Sequence, residues 1–349
     1  MRGGTSRGLY VLATDLPSDP AQRDRVLLAL MGSPDLRQID GVGGGHPLTS
    51  KVAVLSPSPR DDIDVEYLFL QVAVDQPVVS DVQNCGNILA GVGPWAIEHG
   101  LVTAQQGITP VTILMLNSGG VAVANVQTPE GRVCYQGDTV IDGVPGSAAP
   151  VTLDFLEVAG SACGALLPTG QARDTVNGLQ VTCIDNGMPV VLLRATDVGM
   201  SGSESPAELE ANDTLKTRLE SIRREAGAAM NLGDVTDKTI PKMCLVSAPV
   251  AGGVINTRTF IPHRVHESIG VLGAVSVATA CVLPGSVTDG MAVVTDPQAM
   301  AVEHPSGAFT IAMQTTMSHG QLHIHQSALV RTARKLFSGA TYVSQSLYA

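Results

Sequence analysis

Two side chains in the first half of the sequence could exchange protons with a substrate. One is Cys85, which lies in the segment NCGN directly before an apolar run, where a buried helix should begin. Backbone amides and the helix dipole favour a thiolate at a helix N-terminus, so a thiol there can give and take a proton near neutral pH. The alternative interpretation is a cysteine that fills a small gap in the core.

Lys51 is the second candidate. It follows the glycine-rich segment GGGHPLTS and opens the apolar strand KVAVL. Partial desolvation at the mouth of such a strand favours the neutral amine, which could act as a general base. A lysine that reaches solvent from a strand end is an equally good interpretation. Lys242 occupies the corresponding point in the second half, so the residues alone leave both alternatives open.

Groups suited to binding carboxylates accompany both candidates. The opening segment MRGGTSRG has arginines, hydroxyls and glycines but lacks the spacing of a phosphate loop. Substrate contacts predicted in the first half are Arg2, Thr5, Ser6, Ser50, Gly86 and Asn87. Those predicted in the second half are Arg258, Arg264, His266 and Ser268, with His263 in the same basic cluster. His323 and His325 alternate on one strand without a third ligand at a recognisable spacing, so no metal site is predicted.

An internal repeat organises the elements that must position these residues. Four segments of the first half have echoes in the same order in the second half, offset by about 180 to 200 residues. The matched pairs are 9–17 with 190–199, 49–59 with 240–250, 84–102 with 266–285, and 111–126 with 309–325. The Gly/Ala/Pro-rich stretch near 160–175 marks the boundary. We therefore predict two domains, 1–165 and 166–349.

Each half begins with a strand and a capped helix. Asp19 with Pro20 caps the first helix, and Ser205-Pro206 with Glu208 forms a capping box for the second. Helices predicted over 87–99 and 268–281 have almost no polar face and must be buried on all sides. The fold class is therefore α+β, with two pseudo-symmetric domains, each a β-roll around a central helix. We expect the two helix N-termini to face a common cleft that receives a carboxylate.

Composition excludes several classes of protein. The chain has 349 residues, a net charge of −11 and 44% hydrophobic residues, typical of a well-packed globular protein rather than a disordered one. We expect no nucleic-acid partner, because there is no basic block, and no membrane partner, because the apolar runs are too short to span a bilayer. Six cysteines without CxxC spacing predict a reduced, cytoplasmic protein.

The sequence resembles the PrpF family, which has the diaminopimelate-epimerase-like fold. The matching stretches run from the first residue nearly to the last. They are MRGGTSRG, MGSPDLRQIDGVGG, LTSKVAVLSPS, NCGNILAGVGPWAIEHGLV, HESIG with GAVSVATACVLPG, and VRTARKLFSGATYV. The resemblance implies the duplicated β-roll independently of the repeat. RQIDGVGG together with NCGNILAGVGP is similar to the branch that tautomerises 4-oxalomesaconate in gallate breakdown.

The resemblance also implies a chemistry. Family members are cofactor-free isomerases of unsaturated tricarboxylates, and the lysine of TSKVA and the cysteine of NCGN are their proposed acid/base groups, here Lys51 and Cys85. We expect a keto–enol or allylic 1,3-proton shift, with aconitate or 2-methylaconitate isomerisation, or a binding protein without chemistry, as the alternatives. A homodimer is a possible assembly.

The chain departs from the family pattern at two points and from the epimerase pattern at one. Arg7 stands where the family has lysine, relatives carry an apolar strand before MRGG, and Ser268 stands near the position of a second epimerase cysteine. One-sided proton shuttling therefore fits better than a two-thiol mechanism.

Overall fold

The computed structural model describes residues 1–81, 84–156, 159–261, 264–318, 321–344 and 347. The chain divides into two compact units. Unit 1 comprises Met1–Leu156 with Val330–Ala349, and unit 2 comprises Glu157–Leu329. The first segment of unit 1 therefore ends nine residues before the predicted boundary at 165/166, and the C-terminal segment returns to unit 1.

The described residues of unit 1 form a rolled, mainly antiparallel sheet and three α-helices. Its strands are β1 (Arg2–Gly3), β2 (Ser6–Leu12), β3 (Lys51–Pro57), β4 (Val65–Val72), β5 (Val79–Ser80), β6 (Gly107–Met115), β7 (Gly120–Thr128) and β8 (Pro150–Leu156). Its helices are α1 (Pro20–Met31), α2 (Gly86–Leu89) and α3 (Val92–Glu98). The pairs β2–β3 and β4–β6 are parallel, whereas β1–β2, β3–β4, β4–β5, β6–β7 and β7–β8 are antiparallel.

Unit 2 repeats this arrangement. Its strands are β9 (Asp174–Val176), β10 (Leu179–Asp185), β11 (Pro189–Arg194), β12 (Lys242–Ser247), β13 (Ile255–Ile261), β14 (Arg264–Val265), β15 (Met300–His304), β16 (Gly307–Ser318) and β17 (Gln321–Arg334), the last of which ends in unit 1. Its helices are α4 (Pro206–Glu210), α5 (Asp213–Ala229) and α6 (Val271–Val282). Here β11–β12 and β13–β15 are the parallel pairs, and β12–β13, β13–β14, β15–β16 and β16–β17 are antiparallel.

The shared topology confirms three of the four predicted repeat matches and corrects the fourth. β2 corresponds to β11, β3 to β12, and the small-residue helices to each other. The match of 111–126 with 309–325 is displaced by one strand, because β6 pairs in parallel with β4 just as β15 pairs with β13. Neighbouring antiparallel strands share the same alternation, so sequence similarity alone can shift by one strand.

Helices on the outside of each sheet follow their predicted caps. The side chain of Asp19 accepts a hydrogen bond from Gln22 N at the start of α1, with Pro20 in the first turn. Val26, Leu27 and Leu30 of α1 pack in a core with apolar residues of β2, β3 and β4. In unit 2, Ser205 and Glu208 form the predicted capping box of α4. These ends are specified within a few residues of sequence.

The central helices are buried as predicted, but their bounds differ from the prediction. The helix predicted over 87–99 is two short helices, α2 and α3. Pro94 has no N–H to donate to the Ala90 carbonyl, which removes one helical hydrogen bond at the break. The helix predicted over 268–281 begins at Val271, because the Ser268 N–H donates to His266 Nδ1 and Gly270 is extended. In the part of the chain that the structure describes, no helix has the length and apolarity to cross a bilayer.

Candidate active site

One face of β4 supports both candidate catalytic residues. Side chains of a strand alternate between its two faces, so Tyr67, Phe69 and Gln71 share one side. Tyr67 and Phe69 are fully buried and Gln71 is half-buried. Gln71 and Phe69 contact Lys51, whereas Tyr67 contacts the backbone of Cys85. We call this set the β4 stripe.

Lys51 opens β3 and is buried, with 7% of its surface exposed. Its Nζ donates to Gln71 Oε1 over 2.6 Å and lies 5.1 Å from the centroid of the Phe69 ring. Lys51 is therefore held by a neutral acceptor and an aromatic face. The sequence left open whether this lysine reaches solvent, and the structure places it inside.

The segment before Lys51 is fixed by a polar network. The side chain of Gln38, from the RQIDGVGG motif, donates to Ser50 Oγ over 2.6 Å and to Ser33 Oγ over 3.0 Å, while its Oε1 accepts from Gly45 N over 2.9 Å. Ser50 is fully buried, and its carbonyl accepts from Val72 N over 3.1 Å. Ser50, predicted to bind substrate, therefore has a structural partner that anchors the start of β3.

Cys85 is the N-cap residue of α2 and is half-buried. Its carbonyl accepts from Leu89 N over 2.9 Å and from Tyr67 Oη over 3.3 Å. Tyr10 Oη donates to the Ile88 carbonyl over 2.6 Å. Burial, reinforced by the nearby Cys85, raises the pKa of both tyrosines well above the usual value. They therefore remain neutral phenols that fix the turn carrying the thiol.

The MRGGTSRG segment packs directly on this turn. Asn87 Oδ1 accepts from Thr5 N over 3.4 Å. Gly3 and Gly4 approach the same asparagine so closely that a Cβ on Gly3 would overlap its carbonyl oxygen and one on Gly4 its side chain. Gly4 also has a positive φ of 49°, which favours glycine. The predicted residues Thr5, Gly86 and Asn87 thus lie together beside Cys85.

Arg2 and Ser6 belong to the same segment. Arg2 Nη1 donates to the Gly4 carbonyl over 2.8 Å and to the Thr332 carbonyl and hydroxyl over 3.0 Å. Burial, and then the nearby Arg334, lower the pKa of Arg2. Arg2 also lines a cavity of about 620 Å³ with Thr332 and Arg334. Among the described residues, no group hydrogen-bonds the buried hydroxyl of Ser6.

The remaining predicted residues belong to unit 2. Arg258 is buried, and its guanidinium donates to the Glu204 and Thr257 carbonyls and to Asn256 Oδ1. Arg264 is exposed on β14. The substrate-binding roles of Arg258 and Arg264, like those of His266 and Ser268, remain predictions.

His266 and Ser268 contact each other in unit 2. His266 Nδ1 accepts from Ser268 N over 2.9 Å, and Ser268 Oγ lies 3.3 Å from His304 Nε2. Burial, and then the charge of Lys242, lower the pKa of His266, which favours the neutral imidazole. His263 lies outside the described residues.

Sequence reasoning missed the side chains that hold Lys51 and the Cys85 turn in place. These are Tyr10, Gln38, Tyr67, Phe69 and Gln71. A signal was present in the segment VEYLFLQV, where two aromatic residues and a glutamine recur every second residue in a chain with 3% aromatics. That spacing puts all three on one face of a strand.

The geometry of these residues defines a class of protein. The buried Lys51 and the half-buried thiol residue Cys85 both contact side chains from one face of β4, and both can exchange protons. They belong to a duplicated β-roll with a central helix. Two such groups held close to one strand are typical of an isomerase that transfers protons. The model of the family described as PrpF protein matches residues 1–344. The chain belongs to the PrpF family, and it is an isomerase.

Relatives and a solved structure support this assignment over the full chain. A 4-oxalomesaconate tautomerase of Pseudomonas putida is 59% identical over 100% of this chain and 96% of its own length. A (4E)-oxalomesaconate Delta-isomerase of Novosphingobium sp. (strain KA1) is 57% identical over 98% of this chain and 96% of its own length. The crystal structure of a methylitaconate-delta-isomerase has a TM-score of 0.87 and 33% identity, covering 100% of this chain and 95% of that chain.

Proposed function

We propose that the chain tautomerises 4-oxalomesaconate from its keto to its enol form, without a cofactor, in the breakdown of gallate-type aromatic acids. Lys51 is the general base, and Cys85 delivers or relays the proton at the other end of the reacting system. The alternative within the same class is aconitate or 2-methylaconitate isomerisation by the same residues.

The observation that carries the proposal is the double role of the β4 stripe. Gln71 and Phe69 hold the Lys51 amine, while Tyr67 holds the backbone of Cys85. Side chains of one strand thus hold both proposed proton-transfer groups, and a fixed arrangement of these groups favours a reaction with two proton transfers.

The choice of substrate rests on the relatives. Two of them, at 59% and 57% identity, are named for oxalomesaconate. A 2-methyl-aconitate isomerase of Shewanella oneidensis is 32% identical over 97% of this chain and 94% of its own length. The greater similarity to the first two favours the keto tricarboxylate.

The chemistry follows from the substrate. Neutral Lys51 removes a proton from the carbon between the C=C and C=O bonds, and the electron pair delocalises onto the carbonyl oxygen as an enolate. Backbone amides of Gly86 and Asn87, in the first turn of α2, stabilise the developing negative charge. Proton delivery to that oxygen gives the enol. Delivery to the far alkene carbon would instead shift the double bond.

The test offers keto 4-oxalomesaconate and trans-aconitate separately in deuterated buffer, followed by ultraviolet absorbance and proton NMR. We expect loss of the keto signal, with deuterium uptake at the carbon beside the carbonyl, for the first compound alone. Turnover of aconitate alone would replace the proposal by its alternative. A fully folded protein that turns over neither compound would overturn both.

A further inference from the structure

We infer that Gln71 is a positioning residue that holds the Lys51 amine in the orientation that a general base needs. The inference rests on the proposed function, because it presumes that Lys51 removes the substrate proton. Gln71 itself touches Lys51 rather than the reacting atoms, so its effect passes through the amine.

The amide of Gln71 is fixed on both sides. Its Nε2 donates to the Ser50 carbonyl over 2.9 Å and to the Pro47 carbonyl over 3.1 Å. These bonds use the two amide hydrogens, so Oε1 remains the acceptor that faces Lys51 Nζ at 2.6 Å. The two residues are also direct cross-strand partners in the β3–β4 ladder. Rotation of the amide would break all three contacts.

This arrangement constrains the lysine amine. A neutral amine carries two hydrogens and one lone pair, and donating one hydrogen to Gln71 restricts the directions in which the lone pair can point. The Phe69 ring, 5.1 Å from Nζ, limits movement on another side. The base is thereby oriented before substrate arrives, which lowers the entropic part of the barrier.

The neutrality of the acceptor matters as much as its position. A carboxylate at the same place would stabilise the ammonium form and withhold the lone pair. An amide accepts the same hydrogen bond without adding a charge. Gln71 thus orients Lys51 without placing a second charge beside the amine.

The test compares the pH dependence of kcat/KM in the variants Gln71→Glu and Gln71→Leu with the unsubstituted chain. For Gln71→Glu we expect the acidic limb to move upward by about one pH unit or more, with activity recovering at high pH. For Gln71→Leu we expect kcat to fall by about 10- to 100-fold at every pH, because orientation is lost while no charge is added.

A matched control is Gln106→Leu. Gln106 is exposed in the same unit, and its Nε2 also donates to a backbone carbonyl, that of Pro129, over 2.6 Å. We expect an unchanged pH profile. Circular dichroism and urea unfolding of each variant separate a loss of positioning from a loss of folded protein.

Failure of the positioning role and failure of the proposed function would give different results. An unshifted acidic limb in folded Gln71→Glu, while Lys51→Ala is inactive, would overturn the positioning role alone. Full turnover by Lys51→Ala would remove the proposed base and the inference with it.

Discussion

The two units carry different side chains on the same pair of strands. In unit 1, Leu55 faces Tyr67, Ala53 faces Phe69 and Lys51 faces Gln71 across β3 and β4. In unit 2 the corresponding pairs across β12 and β13 are Val246 with Thr257 and Cys244 with Thr259. The same register continued by one step puts Lys242 opposite Ile261. Backbone pairing is alike in both units, whereas the side chains on this face are not.

In the described contacts, the hydroxyls of Thr257 and Thr259 in unit 2 donate hydrogen bonds to other groups of the same unit. Thr257 Oγ1 donates to the Glu303 carbonyl over 2.6 Å, and Thr259 Oγ1 donates to Cys244 Sγ over 3.7 Å. Burial raises the pKa of Cys244 to about 12, so this thiol stays protonated. The same strand pairing therefore holds the two candidate catalytic residues in unit 1 and packs buried side chains in unit 2, because ladder hydrogen bonds do not depend on which side chains point inward.

The largest expected effect is the difference in kcat between the variants of Lys51 and Lys242. Lys51→Ala should lower kcat by about 10³- to 10⁴-fold, because the proposed general base is lost. Lys242→Ala should lower kcat by less than about tenfold, since the β12–β13 register continued to this position puts Ile261 opposite Lys242 rather than a glutamine. Steady-state kinetics on both variants measure the contrast. Equal losses would show that the two units share the chemistry.

Cys85→Ala should have the next largest effect, with kcat lower by about 10²- to 10³-fold. If the thiol handles only the second proton, this variant should still exchange the substrate carbon-bound hydrogen for deuterium, whereas Lys51→Ala should not. Proton NMR in deuterated buffer follows the exchange directly. Loss of exchange in folded Cys85→Ala would assign the first proton transfer to the thiol. Ser268→Ala is the unit 2 comparison, expected to change kcat much less.

Gly3→Ala should be strongly destabilising. The added methyl would overlap the Asn87 carbonyl oxygen and approach Tyr10 Oη, which we expect to cost about 1–3 kcal/mol of unfolding free energy. Gly270→Ala in unit 2 is the control, because a Cβ there meets nothing within 4 Å and its φ of −68° suits any residue. Urea midpoints measure both. Similar midpoints would contradict the close packing of the MRGGTSRG segment on α2.

The smallest expected effects concern two hydroxyl groups at corresponding positions, that of Tyr67 in unit 1 and that of Thr257 in unit 2. Tyr67→Phe and Thr257→Val each remove a hydroxyl donor to a backbone carbonyl and should each cost about 0.5–1.5 kcal/mol of stability. Turnover should fall several-fold only for Tyr67→Phe, because only that carbonyl belongs to Cys85. Parallel unfolding and kinetic measurements check this. An equal loss of turnover in Thr257→Val would contradict the expectation that only the unit 1 strand face affects catalysis.

The sequence by itself determined the features that local chemistry specifies. The caps at Asp19 and Ser205, the apolar strands, the burial of the small-residue helices and the duplication all follow from patterns a few residues long or from direct self-similarity. Lys51 and Cys85 stood out because a basic side chain and a thiol lie at the edges of apolar elements. These inferences required no knowledge of which distant segments meet.

Tertiary structure alone decided how those residues are held. The contact of Lys51 with Gln71 spans 20 positions, and that of Tyr10 with Ile88 spans 78. Whether such pairs meet depends on strand register and packing. A register shift of one residue would move every side chain of the strand to the opposite face of the sheet. The same holds for the return of Val330–Ala349 to unit 1 and for the start of α6 at Val271. The sequence identified the two candidate catalytic residues, and packing between distant segments determined their surroundings.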